Sequence, residues 1–502
     1  AHCLQLSQTE VYEVATFYHH FDVVDRTSDT PQALTVRVCN GPTCCMAGAE
    51  QLIERLPALL GSTVRVQAVP CIGRCEQAPA VAVGQHEIGH ASHHEIMEAA
   101  FGHHTKALPA PHINLSEYLD RGGYQQLKRC VSGQMTIDEA CNILSGSGLR
   151  GLGGAGFPAG RKWNVVRQQP APRLMAVNID EGEPGTFKDR TYLESNPHQF
   201  LEGMLIAAWA VQASTIYIYL RDEYHACRAM LQTELNTLRA KAPMPGMPGI
   251  ELRRGAGAYI CGEESAMIES IEGKRGLPRL RPPYVAQCGL FNQPTLVHNF
   301  ETLYWVPTIL EKGAEWFSSQ GRHGRSGLRS FSVSGRVNKP GVHLAPAGIT
   351  LRELLHEYCG GMQAGHTLYG YLPGGASGGI LPATLADIPL DFDTLQAHGC
   401  FIGSAAIVVF SQADSAVEMT RNLMRFFVHE SCGQCTPCRA GTAKALALIN
   451  QPQWNVPLLQ ELSAVMRDAS ICGLGQAAPN PVECVIRYFP HEIVGTDTGA
   501  SP

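Results

Sequence analysis

The chain has 502 residues, 44% of them apolar, and its 45 acidic against 39 basic side chains give a formal net charge of −6. That length holds several domains, and the mild acidity excludes the basic field on which nucleic-acid binding depends. The most apolar runs, such as FIGSAAIVVF at 401–410, fall short of the ~20 residues of a membrane helix, and the first residues lack the basic flank and apolar block of a secretory signal. The sequence therefore reads as a cytoplasmic chain with no membrane and no nucleic-acid partner. Its 18 cysteines, eight of them in two tight groups, point to metal or redox chemistry more than to disulfides.

In chain order, VYEVATFYHHF at 11–21 forms a helical lead-in. Residues 34–38 read as a short strand that meets Cys39; a turn follows at Gly41-Pro42, and a helix starts near Met46 with Cys44 and Cys45 at its head. A second strand, 63–69, leads to Cys71 and Cys75. Each pair of the C-x4-C, C-x3-C pattern follows a strand, so two loops at one end of a sheet can converge on one site. Four thiolates hold either zinc or an iron–sulfur cluster, and the spacing favours the cluster because zinc pairs are commonly C-x2-C. Adjacent cysteines point in different directions, so only one of Cys44 and Cys45 ligates. Residues 85–110, rich in His, Ala and Pro without clear periodicity, read as the end of this domain plus a linker, with His103-His104 exposed in it.

GLRGLGGAGFPAGRKW at 148–163 contains the G-x-G-x-x-G pattern of dinucleotide sites, which is reliable only after a strand and before a helix. Here Ile137, Ala140, Cys141 and Leu144 repeat at helical spacing up to Ser145-Gly146. The first convincing strand, 173–179, comes after the glycines and runs into the acidic DEGEPG at 180–185. The usual order is inverted, and the motif alone leaves a ligand-free glycine loop open. Glycine does let the backbone approach a planar ring or a phosphate, and Lys162 adds a positive charge beside the loop.

Near the far end, Cys432, Cys435 and Cys438 form C-x2-C-x2-C in front of an Ala/Leu-rich helix. Three thiolates in one loop suit three irons of a cubane whose fourth ligand comes from elsewhere, whereas zinc prefers separated pairs. Cys472, in a loop beside Gly473, is the fourth candidate; Cys484, at helical spacing in PVECVIRYF, reads as buried, as do Cys130, Cys141, Cys227 and Cys359. Clusters carry single electrons and do no substrate chemistry alone. A flavin, which accepts a hydride and releases electrons one at a time, is therefore implied.

The lead-in and the first cysteine pairs resemble the thioredoxin-like [2Fe–2S] subunit of respiratory NADH dehydrogenases and of related soluble hydrogenases and formate dehydrogenases. That resemblance makes Cys39, Cys44, Cys71 and Cys75 the [2Fe–2S] ligands. The glycine loop, DEGEPGTFKDR and the stretch RRGAGAYICGEES to VHNFET resemble the FMN- and NADH-binding subunit of the same family, from Gly148 to nearly the C-terminus. It implies Gly151, Gly153 and Gly154 against FMN, Lys162 bonded to it, and polar contacts from Asn178, Asp180, Glu181 and Asn299. Glu183 would bind NAD(H), Phe157 and Tyr284 would stack on the adenine, and Tyr259, Gly262, Glu263 and Glu264 would pack at the isoalloxazine and nicotinamide. Cys432, Cys435, Cys438 and Cys472 become the [4Fe–4S] set. Departures are Val165 where an aromatic is frequent, Arg281 for a lysine, which keeps a charge at the nucleotide side, and His298 for an asparagine.

The fold implied is a multidomain α/β chain: a helical lead-in at 1–30, a thioredoxin-like [2Fe–2S] ferredoxin domain at 31–105, and a Rossmann-like FMN/NADH domain at 106–325. A β-grasp domain at 326–412, with a hairpin about Asn338 to Gly341 and a helix from Leu351, and a C-terminal helical [4Fe–4S] bundle at 413–502 complete it. The function implied is a diaphorase passing electrons between NAD(H), FMN and the clusters, with no acid–base residue needed. The fused arrangement and FYHHFDVVDR resemble most the β subunit of a cytoplasmic NAD-dependent formate dehydrogenase. The partner would be a molybdenum or tungsten pterin α subunit, with a further small [2Fe–2S] subunit as a second candidate. The alternatives are an NAD-reducing hydrogenase, a respiratory module, or a non-enzymatic iron–sulfur or zinc scaffold.

Overall fold

The computed structural model describes residues 1–24, 31–241, 243–244 and 246–493, so the last six residues of the expected lead-in lie outside it. Three sheets organise the chain. The first has strand order β2-β1-β3-β4, from β1 (Leu34–Cys39), β2 (Val64–Val69), β3 (Val81–Val83) and β4 (His86–Ile88). β1 runs parallel to β2 and antiparallel to β3. Leu52, Leu56 and Leu60, four apart on the helix Ala49–Leu60, are buried against this sheet. This is the thioredoxin-like domain.

Two local expectations change here. The helix placed near Met46 is two pieces, a turn at Pro42–Met46 and then Ala49–Leu60, because Gly48 breaks it at φ 90°. Within the stretch 85–110, which lacks clear periodicity, His93–Phe101 is a helix at the end of the domain. Its weak periodicity hid a capping box: the Glu95 N–H donates to Ser92 Oγ while the Ser92 N–H donates to Glu95 Oε2, and Ile96, Ala99 and Ala100 are buried behind it.

The second sheet is entirely parallel, with order β7-β6-β5-β8 from β5 (Arg173–Ile179), β6 (Ala213–Leu220), β7 (Gly249–Arg254) and β8 (Thr295–Asn299). From β5 the chain steps outward to β6 and β7, then returns to lay β8 on the other side of β5. Asn178 on β5 stands opposite Asn299 on β8. The reversal opens a crevice at the carboxyl ends of these two strands, the place where open α/β sheets bind ligands.

The third sheet joins β9 (Leu328–Gly335), β10 (Gly341–Pro346), β11 (Leu368–Leu372), β12 (Leu381–Pro382) and β13 (Ala406–Ser411) in the order β10-β9-β13-β11-β12. The β9–β10 hairpin, the helix Leu351–Glu357 and the parallel pairing of β13 with β9 make a β-grasp. Residues 401–404 precede β13 as a loop, since Gly403 and Ala405 both have positive φ. The helices Ala416–Glu430, Thr436–Ile449, Val456–Ala469 and Asn480–Tyr488 form the C-terminal bundle. They share one continuous apolar core with the β-grasp sheet and with Ile260 and Met267 of the parallel domain.

Candidate functional site

At the crevice lies a cleft of about 340 Å³, within the size range of cofactor sites. Gly153 and Gly154 of the glycine loop, Asn178 and the strap from Asp180 to Glu183, Tyr259, Gly262, Glu263 and Asn299 all line it. The loop crosses from the helix Ile137–Ser147 to the helix Ala159–Arg167. It is closed on itself by Gly151 N–H donating to Phe157 O at 2.9 Å. Sequence-distant segments thus meet at one sheet edge.

The cleft has the character of a ring-binding site. A Cβ on Gly153 would stand 2.9 Å from the Asn299 Cβ, and one on Gly262 would stand 3.3 Å from the Asp180 carbonyl oxygen, so backbone forms the wall where side chains do not fit. Asn178 Nδ2 donates to Gly262 O at 2.8 Å and fixes that wall. Asp180 Oδ2 is buried, lines the cleft and has no hydrogen-bond partner among the described residues. Burial raises its carboxyl well above the ordinary range. A polar ligand atom here satisfies a carboxyl oxygen that the protein leaves unmatched.

Both glutamates of the strap have their oxygens engaged by the protein, and they differ in exposure, Glu183 being half-buried and Glu181 buried. Glu183 Oε1 accepts from both the N–H and the hydroxyl of Ser377, each at 2.7 Å, and Oε2 accepts from the Tyr259 hydroxyl. Burial pushes its pKa up. Glu181, expected to touch the flavin, has both oxygens engaged by the protein. It accepts the N–H groups of Asp189 and Arg190 at 2.8 and 3.1 Å and the Tyr224 hydroxyl at 2.9 Å. Burial, with Asp189 adding to it, pushes Glu181 up to about 7. It lines the cleft while capping the helix Lys188–Ser195.

Six expected residues lie outside the lining. Gly151 shapes the loop. Lys162 Nζ donates to Val297 O at 3.0 Å and stands 4.0 Å from Glu264, and burial lowers its pKa. Arg281 pairs with Glu263 and, at 3.2 Å, with Glu264. Phe157 and Tyr284 are 38% and 57% exposed, unusually open for aromatic rings. Of the departures, His298 is buried and accepts the Trp163 indole N–H at 2.9 Å. Burial, and then Lys162, holds it well below the usual imidazole range, so it is neutral. Val165 is exposed.

Sequence reading missed the third wall. Gly374, Ser377, Phe401, Gly403 and Ser404 reach the cleft from β-grasp loops, and Gly473, Leu474 and Ala477 come from the C-terminal helices. The run GGASGG at 374–379 was the available signal.

Both thiol groups assemble. Cys432, Cys435, Cys438 and Cys472 line one small cavity together with Ile260 and Leu474, and these last two also line the cleft. Cys484 instead is buried against Cys400. At the other site Cys39, Cys44, Cys71 and Cys75 are all buried, Cys71 and Cys75 with sulfurs 3.2 Å apart and Cys39 in contact with Cys44 and Cys71. Cys45 Sγ points away and donates to Asn40 O. Among the described residues no three His, Cys, Asp or Glu side chains close on a single-ion site. No helix among them is long and apolar enough to cross a membrane.

A glycine-walled cleft at the switch point of a parallel sheet, flanked by two four-cysteine sites, defines a flavin- and iron–sulfur-dependent oxidoreductase. Three family models match successive parts of the chain: a thioredoxin-like [2Fe–2S] ferredoxin over residues 1–100, the Nuo51 FMN-binding domain over 144–308, and the NADH-ubiquinone oxidoreductase-F iron–sulfur binding region over 418–495. A subunit of the NADH-quinone oxidoreductase of Rhizobium meliloti (strain 1021) is 40% identical over 405 residues, 77% of this chain and 95% of that protein. The mitochondrial NADH dehydrogenase [ubiquinone] flavoprotein 1 of Dictyostelium discoideum is 41% identical over 403 residues, 76% of this chain and 83% of its own. The crystal structure of an NAD+-reducing [NiFe]-hydrogenase in the air-oxidised state matches with TM-score 0.86 and 31% identity, covering 98% of this chain and 89% of that one. The chain belongs to the same family as these NADH-quinone oxidoreductase flavoproteins: it is a flavin-dependent NAD(H) oxidoreductase subunit with FMN, [4Fe–4S] and [2Fe–2S] domains.

Proposed function

We propose that this chain is the reversible diaphorase of a cytoplasmic complex, exchanging electrons between NAD(H) and a partner subunit that oxidises formate at a molybdenum or tungsten pterin. When bound, FMN supplies hydride acceptance and single-electron release. The chain's own residues position. Gly153, Gly154 and Gly262 offer backbone to a flat ring, with Asn178, Asp180 and Asn299 as its polar partners. Glu183, aimed by Ser377 and Tyr259, takes a donor from the nicotinamide nucleotide. Glu181 serves by holding the strap. Lys162, Glu263, Glu264 and Arg281 supply a charged rim, Gly151 shapes the loop, and the open faces of Phe157 and Tyr284 offer stacking to an adenine. Cys39, Cys44, Cys71 and Cys75 hold [2Fe–2S]; Cys432, Cys435, Cys438 and Cys472 hold [4Fe–4S]. No side chain is asked to move a proton at the cleft, so alignment carries the rate.

The observation that carries this reading is the shared wall, Ile260 and Leu474, between the cleft and the second thiol site. Anaerobic NADH is expected to bleach the flavin bands of the purified protein and then to bring up a [4Fe–4S] EPR signal. A colourless protein with stoichiometric zinc would reject the reading. A hydrogenase partner is the second reading, supported by the match over 98% of the chain to the NAD+-reducing [NiFe]-hydrogenase structure. Native affinity purification followed by NAD+ reduction with formate or with hydrogen decides between them: reduction by hydrogen and not by formate overturns the formate assignment.

A further inference from the structure

The strap between Asp180 and Gly185 has two faces. One carries Glu181 and Glu183 along the cleft; the other lies against the [2Fe–2S] thiols, where the Gly185 N–H donates to Cys71. At this junction sits Arg221, one residue past β6 and 4% exposed. Its Nη1 donates to the carbonyl of Glu181 and its Nη2 to the carbonyl of Cys71 at 2.7 Å. Glu223 takes the Nε side at 3.1 Å and also approaches Nη2 at 3.0 Å. Around it, Arg190 Nε donates to Gly73 O at 2.8 Å, and the Gly73 N–H points at Cys71 Sγ, 3.4 Å away. Gly73 has no room for a Cβ because the Tyr224 ring lies against it, and that same Tyr224 donates to Glu181.

One buried guanidinium therefore touches the cleft strap and the cluster loop at once. We propose that Arg221 is a positioning residue that locks the [2Fe–2S] loop to the flavin strap and eases reduction of that cluster. This rests on the reading that Cys39, Cys44, Cys71 and Cys75 are its ligands. Reduction adds one electron, drawn from NADH, to a four-thiolate cluster and makes its net charge one unit more negative, with no proton taken up. Cluster potentials follow net charge, hydrogen bonds to sulfur and solvent exposure. A guanidinium stays charged across the working pH range and, away from water, acts over several ångströms. Glu223 offsets part of that charge, so the two residues act in opposite directions. The [4Fe–4S] thiols are surrounded differently: among the described residues, the charges that act most on Cys432, Cys438 and Cys472 are those of one another, of Cys435 and of Glu263.

The test is an EPR-monitored redox titration of the intact complex, with the [4Fe–4S] signal as internal reference. Arg221→Gln is expected to lower the reduced-to-oxidised ratio of [2Fe–2S] about tenfold at fixed potential, equivalent to 59 mV for one electron. Arg221→Lys keeps the charge and recovers most of that ratio while broadening the signal, because the fork that fixes the loop is gone. Glu223→Gln raises the ratio, and it decides the matter should Arg221→Gln fail to retain its cluster. The [4Fe–4S] titration stays within twofold of wild type throughout. An unchanged [2Fe–2S] ratio in Arg221→Gln, a fall in Glu223→Gln, or an equal shift of both clusters overturns the proposal. The ligand assignment fails separately, if Cys71→Ser leaves the [2Fe–2S] signal intact.

Discussion

The two thiol sites are built on opposite principles. At the first, Cys39, Cys44, Cys71 and Cys75 are each no more than 5% exposed, and arginines of the neighbouring parallel domain reach their loop. At the second, only Cys438 is buried, and the site is supported by main-chain N–H groups, those of Leu474 and Gly475 toward Cys472 and that of Gln434 toward Cys432. Sealing a thiolate group from water disfavours added negative charge, and nearby cations oppose that effect. The first site has buried cations, Arg190 and Arg221, whereas Arg439, which donates to Gly433 O in the second loop, is exposed; the second site has the nearness to the cleft, through Ile260 and Leu474. Proximity to the cleft and electrostatic surroundings, not cysteine count, distinguish the two sites.

Breaking the second site should give the largest effect. Cys472→Ser removes the one thiolate contributed from outside the C-x2-C-x2-C loop, and electron flow from NADH to the partner falls on the order of 100-fold with loss of cluster iron. Cys484→Ser, by contrast, leaves iron content unchanged; equal iron loss in both variants would contradict the ligand set. Next comes Glu183→Gln. It exchanges a charged acceptor for a neutral one, roughly 1.5–3 kcal/mol, and raises the KM for NADH about tenfold or more while kcat changes less. Gly153→Ala pushes a methyl against Asn299 and weakens FMN retention about tenfold, at the ~1–3 kcal/mol cost of overpacking, read by equilibrium dialysis. Neither of these two should alter the [2Fe–2S] EPR signal, which sharpens the separation of the sites.

The smallest effect concerns pH. The buried Glu181 carboxyl sits at about 7 in the folded chain against an ordinary 4.5, so the native state holds a proton that the unfolded chain releases across that interval. Its contribution to stability is complete below the unfolded pKa and is lost as pH rises to the folded one. Glu181→Gln should flatten the decline of apparent Tm with pH over this window, followed by circular dichroism. A parallel, undiminished decline would assign it to another group.

Legibility in the sequence followed locality. The strand at 173–179, the helix through Ile137 and Leu144, and the cysteine spacings could be read from short windows, because their signals are periodicity and ligand distance. The helix His93–Phe101 escaped because its signal was a cap and not a hydrophobic stripe. Ser377 escaped for a different reason: its role is created by the β-grasp domain docking on the strap, 194 residues away from Glu183. Arg221 is likewise an ordinary residue after a strand until the fold sets Cys71 beside it. The family resemblance implies a flavin contact at Glu181, whereas in the fold both of its oxygens accept from Asp189, Arg190 and Tyr224.

The central claim, that the crevice between β5 and β8 is where FMN meets the chain, is tested most directly by a crystal structure of the FMN-loaded protein. Ring density is expected between Gly153 and Tyr259, with a polar atom of the flavin within hydrogen-bond distance of Asp180 Oδ2. Ring density in any other cavity, with this cleft filled by water, would contradict it.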